Sequence, residues 1–273
     1  MVHVFSEVSY RGNDGCPLRA WRTQSSPDAA MPPMVLLHGG GPDHHMFVPL
    51  AQRLALHHPV ILPDIRGYGL SVCTDLARHT WTQYVSDLVA LLDHLKIETA
   101  TVGGAGLGAT ITLRAAVAHP DRVNAALLIS VEDIEDDEAK AAEIQLMDEF
   151  AERAGNRGIW AAWEPLLGQL APLIGTLVRE AIPRSTPESI AAAAAIGRDR
   201  SFRDIGELAM IEIPTLVFPG MDFRHPPALA KALVDVLPRG TLADVGVTEA
   251  VLNAEDFARV FAPPIIAFLA EGR

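Results

Sequence analysis

Apolar residues in this chain fall into short unbroken runs, separated by stretches in which they recur every three or four positions. Met34-Val35-Leu36-Leu37 is unbroken, with Pro32-Pro33 before it and Gly39-Gly40-Gly41 after it. That pattern predicts a short strand buried on both faces. Val60-Ile61-Leu62, Ala100-Thr101-Val102, Ala125 to Ile129 and Thr215 to Phe218 repeat it. Between these runs, Phe47, Leu50, Ala51 and Leu54, then Val85, Leu88, Val89 and Leu92, each mark one face of a helix. A longer apolar helix is predicted from about Leu107 to His119, and another over Ala228 to Leu237. Unbroken strands alternating with helices make an α/β fold, with a mostly parallel sheet flanked by helices on both faces.

The rhythm breaks after Ser130. Residues 131–211 carry no convincing strand and are rich in Ala, Glu, Leu and Ile at helical spacing. The expected division is a core of 1–130 and 212–273, with 131–211 as a helical lid over the carboxyl end of the sheet. Its opening run, Glu132 to Glu138, is acidic and suits a solvated helix N-terminus. Glu132 itself is left open as a group facing a pocket, because ligands of open α/β sheets bind at the carboxyl ends of strands.

Composition narrows the function classes. Thirty-four acids against 22 Lys and Arg give a charge of −12, whereas phosphate backbones need a basic face, so nucleic acid is not expected as a partner. Two cysteines, Cys16 and Cys73, cannot build a disulfide framework and suit a reducing compartment. Residues Met1 to Glu7 lack the basic segment and apolar run of a signal peptide. No apolar stretch is long enough to span a bilayer. The expected setting is cytoplasmic, with a small molecule as partner, no membrane association, and a homodimer left open.

Three local patterns carry a resemblance. Leu36-Leu37-His38-Gly39-Gly40-Gly41 is the first, Pro63-Asp64-Ile65-Arg66-Gly67-Tyr68-Gly69-Leu70-Ser71 the second, and Gly104-Ala105-Gly106-Leu107-Gly108 with His119-Pro120 the third. In this order they resemble the α/β-hydrolase superfamily over nearly the whole chain, with a lid-bearing member implied. The resemblance implies an oxyanion hole from the backbone N–H groups of Gly40 and Leu107. It places Gly106 at the nucleophile position of the strand-to-helix elbow, and Asp222, in Pro219-Gly220-Met221-Asp222, at the acid position. The family's histidine would follow the last strand, where Val245-Gly246-Val247-Thr248-Glu249 has none, and His225 is the last histidine in the chain. A serine hydroxyl is activated by an adjacent base that a third group orients, so the expected triad is degenerate.

What remains is the oxyanion hole, worth roughly 3–4 kcal/mol per donor to a developing enolate or alkoxide. Asp222 is a candidate base or substrate anchor, with bonding of its own turn as the structural alternative. His38 is expected to order the His-Gly loop, with acid–base work as the alternative, and Glu132 is a candidate replacement base. Gly39, Gly106, His44, His45, Trp160, Trp163 and His225 are candidate substrate contacts, although His225 also suits a helix cap. No His, Asp, Glu and Cys set has defensible ligand spacing, so neither a metal nor a cofactor is expected. The leading expectation is non-covalent lyase, cyclase, isomerase or hydration chemistry on an apolar carbonyl compound. A non-catalytic small-molecule-binding descendant and a hydrolase using a directly activated water are the alternatives.

Overall fold

The computed structural model describes residues 5–23 and 32–271; the N-terminal reading over Met1 to Val4 lies outside them. Its sheet runs β1 (Phe5–Arg11), β2 (Pro17–Thr23), β3 (Met34–Leu37), β4 (Val60–Pro63), β5 (Ala100–Ala105), β6 (Val123–Ile129), β7 (Thr215–Phe218) and β8 (Gly240–Leu242). The spatial order is β1-β2-β4-β3-β5-β6-β7-β8. β1 and β2 form an antiparallel hairpin that joins β4 antiparallel, and every other pairing is parallel.

The helices are α1 (Val48–Leu54), α2 (Trp81–His94), α3 (Leu107–Ala118), α4 (Asp137–Arg157), α5 (Ile159–Leu167), α6 (Pro172–Ala181), α7 (Pro187–Ala193), α8 (Pro227–Val236) and α9 (Ala254–Glu271). Among the described residues, none is long and apolar enough to cross a membrane.

Both sheet faces are covered, which is why the central strands read as unbroken apolar runs. Met34 and Leu36 of β3, Val60 and Leu62 of β4, and Leu127 and Ile129 of β6 pack towards α1 and α9, against Leu50, Leu54, Phe257 and Phe261. The alternate residues Val35, Leu37 and Ile61 pack towards α2 and α3, against Leu91, Ile111 and Ala115. Ala126, Leu128 and Val217 meet Leu113 of α3 and Leu233 of α8. This is the two-residue period of a strand, applied to a sheet with two apolar sides. Each leucine so buried stabilises the fold by about 1.5–3 kcal/mol relative to exposure.

The span between β6 and β7 holds α4 to α7; its β content is one isolated bridge, Ile134 to Phe202. The acidic run at its start divides in two. Asp136 caps α4 by accepting from the N–H groups of Glu138 and Ala139, and Asp137 and Glu138 occupy the first turn, where the helix dipole favours them. Glu132 and Asp133 turn inward instead. The strand reading omitted β1, β2 and β8, and the helix reading omitted α9.

Candidate active site

Gly106 alone makes the turn from β5 into α3, at φ +51° and ψ −118°. Glycine takes this conformation without the steric cost a side chain would bring. Its N–H is shared between the carbonyls of Ile129 (3.0 Å) and Ser130 (3.1 Å), which ties the elbow to the end of β6. Two residues on, a Cβ at Gly108 would lie 2.0 Å from the Leu37 carbonyl oxygen, so α3 approaches β3 this closely only with glycine there.

An ideal Cβ at position 106 would lie 3.1 Å from Glu132 Oε1 and 3.4 Å from His225 Nε2. A carboxylate and an imidazole therefore converge on the apex, and the expectation of a site without an imidazole is corrected. The ring does not come from the loop after the last strand. It comes from the turn after β7, three residues beyond Asp222. Asp222 Oδ1 accepts from His225 Nδ1 (2.7 Å) and from the backbone N–H groups of Arg224 and His225 (both 3.1 Å). Asp222 Oδ2 accepts from the Ala171 N–H (3.0 Å). The aspartate thus folds its own turn and aims the ring at the elbow with the same oxygen. His225 is buried rather than a surface cap.

Arg224 completes the cluster. Its Nε donates to Glu132 Oε2 (3.0 Å), and its two Nη groups donate to Glu143 of α4 (2.8 and 3.1 Å). His225 Nε2 stands 3.4 Å from Glu132 Oε2. Burial opposes the charge on His225, but its hydrogen bond to Asp222 and the nearby Glu132 carboxylate outweigh it and raise the pKa to about 9. Burial likewise opposes the charge on Glu132, yet Arg224 and His225 hold its pKa down to about 2. Near neutral pH the elbow therefore faces a carboxylate and an imidazolium.

These groups line one cavity of ≈ 140 Å³, together with Gly39, Gly40, Gly106 and Leu107. The helical span supplies much of its apolar wall, including Met147, Phe150, Trp163, Leu166 and Leu177. Leu107 is the first residue of α3, so its N–H has no partner within the helix, and Gly40 faces the same space.

His38 is fully buried, and backbone engages both of its ring nitrogens. Nε2 accepts from the Ile65 N–H (2.9 Å), so Nδ1 carries the proton and donates to the Gly39 carbonyl (2.7 Å). Burial lowers its pKa and keeps the ring neutral. The bond to Ile65 ties the His-Gly loop to the Asp64-Ile65-Arg66 turn. Within that turn, Arg66 is clamped by Asp87 and Asp14 (2.7–2.9 Å).

His44, His45 and Trp160 do not line the cavity, which corrects their reading as substrate contacts. His44 is drawn away by Asp64 (Nδ1 to Oδ1, 2.8 Å) and stacks on Trp21 with ring centroids 3.4 Å apart. His45 turns outward to Asp43, and Trp160 lies under the Arg179 guanidinium at 4.7 Å. Asp43, His44 and His45 bring donor atoms within 4.8 Å of one another. Arg184 already neutralises Asp43 through two hydrogen bonds (2.6 and 3.1 Å), and Asp64 holds the His44 nitrogen. Sequence reasoning missed Arg224 and Glu143. The position of Arg224 between Asp222 and His225 was the available signal, whereas nothing local marks Glu143.

A family model described as alpha/beta hydrolase fold matches residues 32–157. The 2-hydroxymuconate semialdehyde hydrolase of Pseudomonas sp. (strain CF600) is 32% identical over 114 residues, which span 40% of this chain and 39% of that relative. Among solved structures, a thermophilic esterase from Thermogutta terrifontis superimposes with a TM-score of 0.76 at 22% identity, covering 98% of this chain and 99% of the other. The enol-lactonase from Burkholderia xenovorans LB400 gives 0.75 at 20% identity, covering 96% and 100%.

Proposed function

We propose that this chain, whose residues 32–157 match an alpha/beta hydrolase fold model and whose fold is that of solved esterases, is an α/β-hydrolase-fold enzyme that moves a proton on a small apolar carbonyl compound without forming a covalent intermediate. The observation that carries this reading is the arrangement at the elbow. Residue 106 has no attacking atom, and the space its side chain would enter is flanked by Glu132 Oε1 and His225 Nε2. A cavity of ≈ 140 Å³ matches the size that holds a single six-membered ring.

In this mechanism substrate entry parts Glu132 from His225, relieving part of the charge that holds its pKa down, and Glu132 takes the proton from the carbon next to the substrate carbonyl. The electron pair moves onto the carbonyl oxygen, and the enolate is held by the N–H groups of Gly40 and Leu107. His225 delivers a proton from Nε2 to the product carbon, and Glu132 then returns its own proton to His225. Atoms balance, and the net change is an isomerisation. Asp222 keeps the imidazolium oriented and charged. The 3.4 Å gap between His225 Nε2 and Glu132 Oε2 is longer than a good hydrogen bond, which suits a pair that opens to admit substrate.

The names of the matched relatives favour a second reading, hydrolysis by a water activated at the same spot. The pH profile separates the two. Proton transfer from an imidazolium requires activity to fall as pH rises through about 9, whereas water activation by neutral His225 requires activity to rise there. The test is α-proton exchange in D2O, read by NMR, over a panel of single-ring ketones and lactones. Wild type is expected to exchange at least one of them about 10²–10⁴ times faster than Glu132→Gln. A burst of phenol from phenyl esters, with an acylated protein in the mass spectrum, would overturn the reading.

A further inference from the structure

Four carboxyl groups line the cavity, those of Glu132, Asp133, Glu143 and Asp222, alongside two cations, Arg224 and His225. Both cations already face carboxylates. Arg224 serves Glu132 and Glu143, while His225 is bonded to Asp222 and faces Glu132. Asp133 is left out. Its ion-pair contact with Arg224, Oδ1 to Nη2, is 3.8 Å long, beyond hydrogen-bond distance.

The backbone holds Asp133 in this position. It sits at φ +62°, an uncommon conformation for a residue with a side chain. Thr110 Oγ1 donates to the Glu132 carbonyl (2.9 Å), and Ser201 Oγ donates to the Asp133 carbonyl. The side chain is only 10% exposed and borders the apolar cavity. Three paired carboxylates already outnumber the two cations, so a fourth negative charge there would have little water and only a distant share of the Arg224 guanidinium at 3.8 Å.

We propose that Asp133 stands in the cavity as an uncharged carboxylic acid and donates its O–H to an oxygen of the substrate, so that the site selects neutral, ring-sized carbonyl compounds over organic anions. The selection follows from the same pairing, since the carboxylates beside each cation already offset its charge and would repel a ligand's negative charge. Burial and the neighbouring Glu132 push the Asp133 carboxyl well above the usual carboxylate range, with Glu143 and Glu135 adding to the effect and Arg224 opposing it. Tyr68 also lies within electrostatic reach. The substrate half of this inference rests on the enzyme reading above, whereas the state of Asp133 does not.

The infrared difference spectrum of unliganded wild type minus Asp133→Asn at pH 7 reads that state without turnover. The expected result is the carbonyl stretch of a protonated carboxyl group in wild type; its absence overturns the proposal even if the enzyme reading holds. Ligand selection is read by NMR titration with acetophenone and benzoate. Acetophenone is expected to bind wild type about tenfold more tightly than benzoate. Asp133→Asn, which keeps an N–H donor, should bind acetophenone within about threefold of wild type, and Asp133→Leu about tenfold more weakly. Benzoate binding as tightly as acetophenone, no acetophenone binding, or unchanged binding in Asp133→Leu overturns the selection.

Discussion

Stripping the proton from His225 is expected to cost the folded chain about 3 kcal/mol. The folded state raises the pKa of this ring from 6.5 to about 9, so it holds the proton more tightly than the unfolded chain does. The contribution is therefore complete below about pH 6.5 and is lost as pH climbs through about 9. At about 1.4 kcal/mol per pH unit, the gap gives the stated magnitude, undiminished by solvent because the ring is buried. Glu132 sets the acid side. Its pKa falls from 4.5 to about 2 on folding, so its share is present above about 4.5 and disappears as pH drops through about 2. The two shifts share the Glu132–His225 contact, with Asp222 adding to the first and Arg224 to the second, and both contributions are whole between about pH 4.5 and 6.5. The assay compares urea or thermal unfolding of wild type and His225→Gln at pH 6 and pH 10, a subtraction that removes every other titrating group. The wild-type advantage should shrink by about 3 kcal/mol, or roughly 5 °C in Tm for a chain of this size. Parallel stability curves, or an NMR titration midpoint for His225 at or below 6.5, would refute the reasoning.

Two further outcomes test other parts of the structure. Gly106→Ser should leave hydrolysis of p-nitrophenyl acetate within about tenfold of background, because a protonated His225 cannot accept the serine proton and Glu132 crowds the new side chain; a hundredfold gain, on the order of one catalytic base, would contradict this. Arg66→Met should destabilise the fold by about 3–5 kcal/mol, because it leaves Asp87 buried without its cation. Urea midpoints measure this, and restoration of most of the loss in Arg66→Met with Asp87→Leu would attribute it to the stranded carboxylate.

The central strands were legible because burial on both faces removes polar residues from them, and Pro and Gly mark their ends. The β1–β2 hairpin was not, since β1 is half exposed and mixes Ser, Glu and Arg with its apolar residues. β8 has three residues and no buried one, and Pro263-Pro264 inside α9 disguise a helix. At the site, Gly106 and Asp222 could be read from local motifs, whereas the position of His225 depends on a tight turn folding it back over the elbow. Glu132 could be left open as a pocket-facing group from its place after the strand, but the run from Glu132 to Glu138 suited a solvated helix start, and only the Arg224 guanidinium from elsewhere in the chain shows why Glu132 turns inward as a carboxylate. A charge pattern along a sequence cannot disclose a partner 92 residues away.

The Arg224 guanidinium grips Glu143 on α4 with one edge and Glu132 beside the elbow with the other. The helical span and Glu132 thereby share a single counter-charge. If α4 shifts far enough to release Glu143, the whole positive charge falls to Glu132 and makes it a weaker proton acceptor. Seating α4 divides that charge and raises the proton affinity of Glu132, so the titration of this carboxylate is tied to the packing of α4 against Arg224.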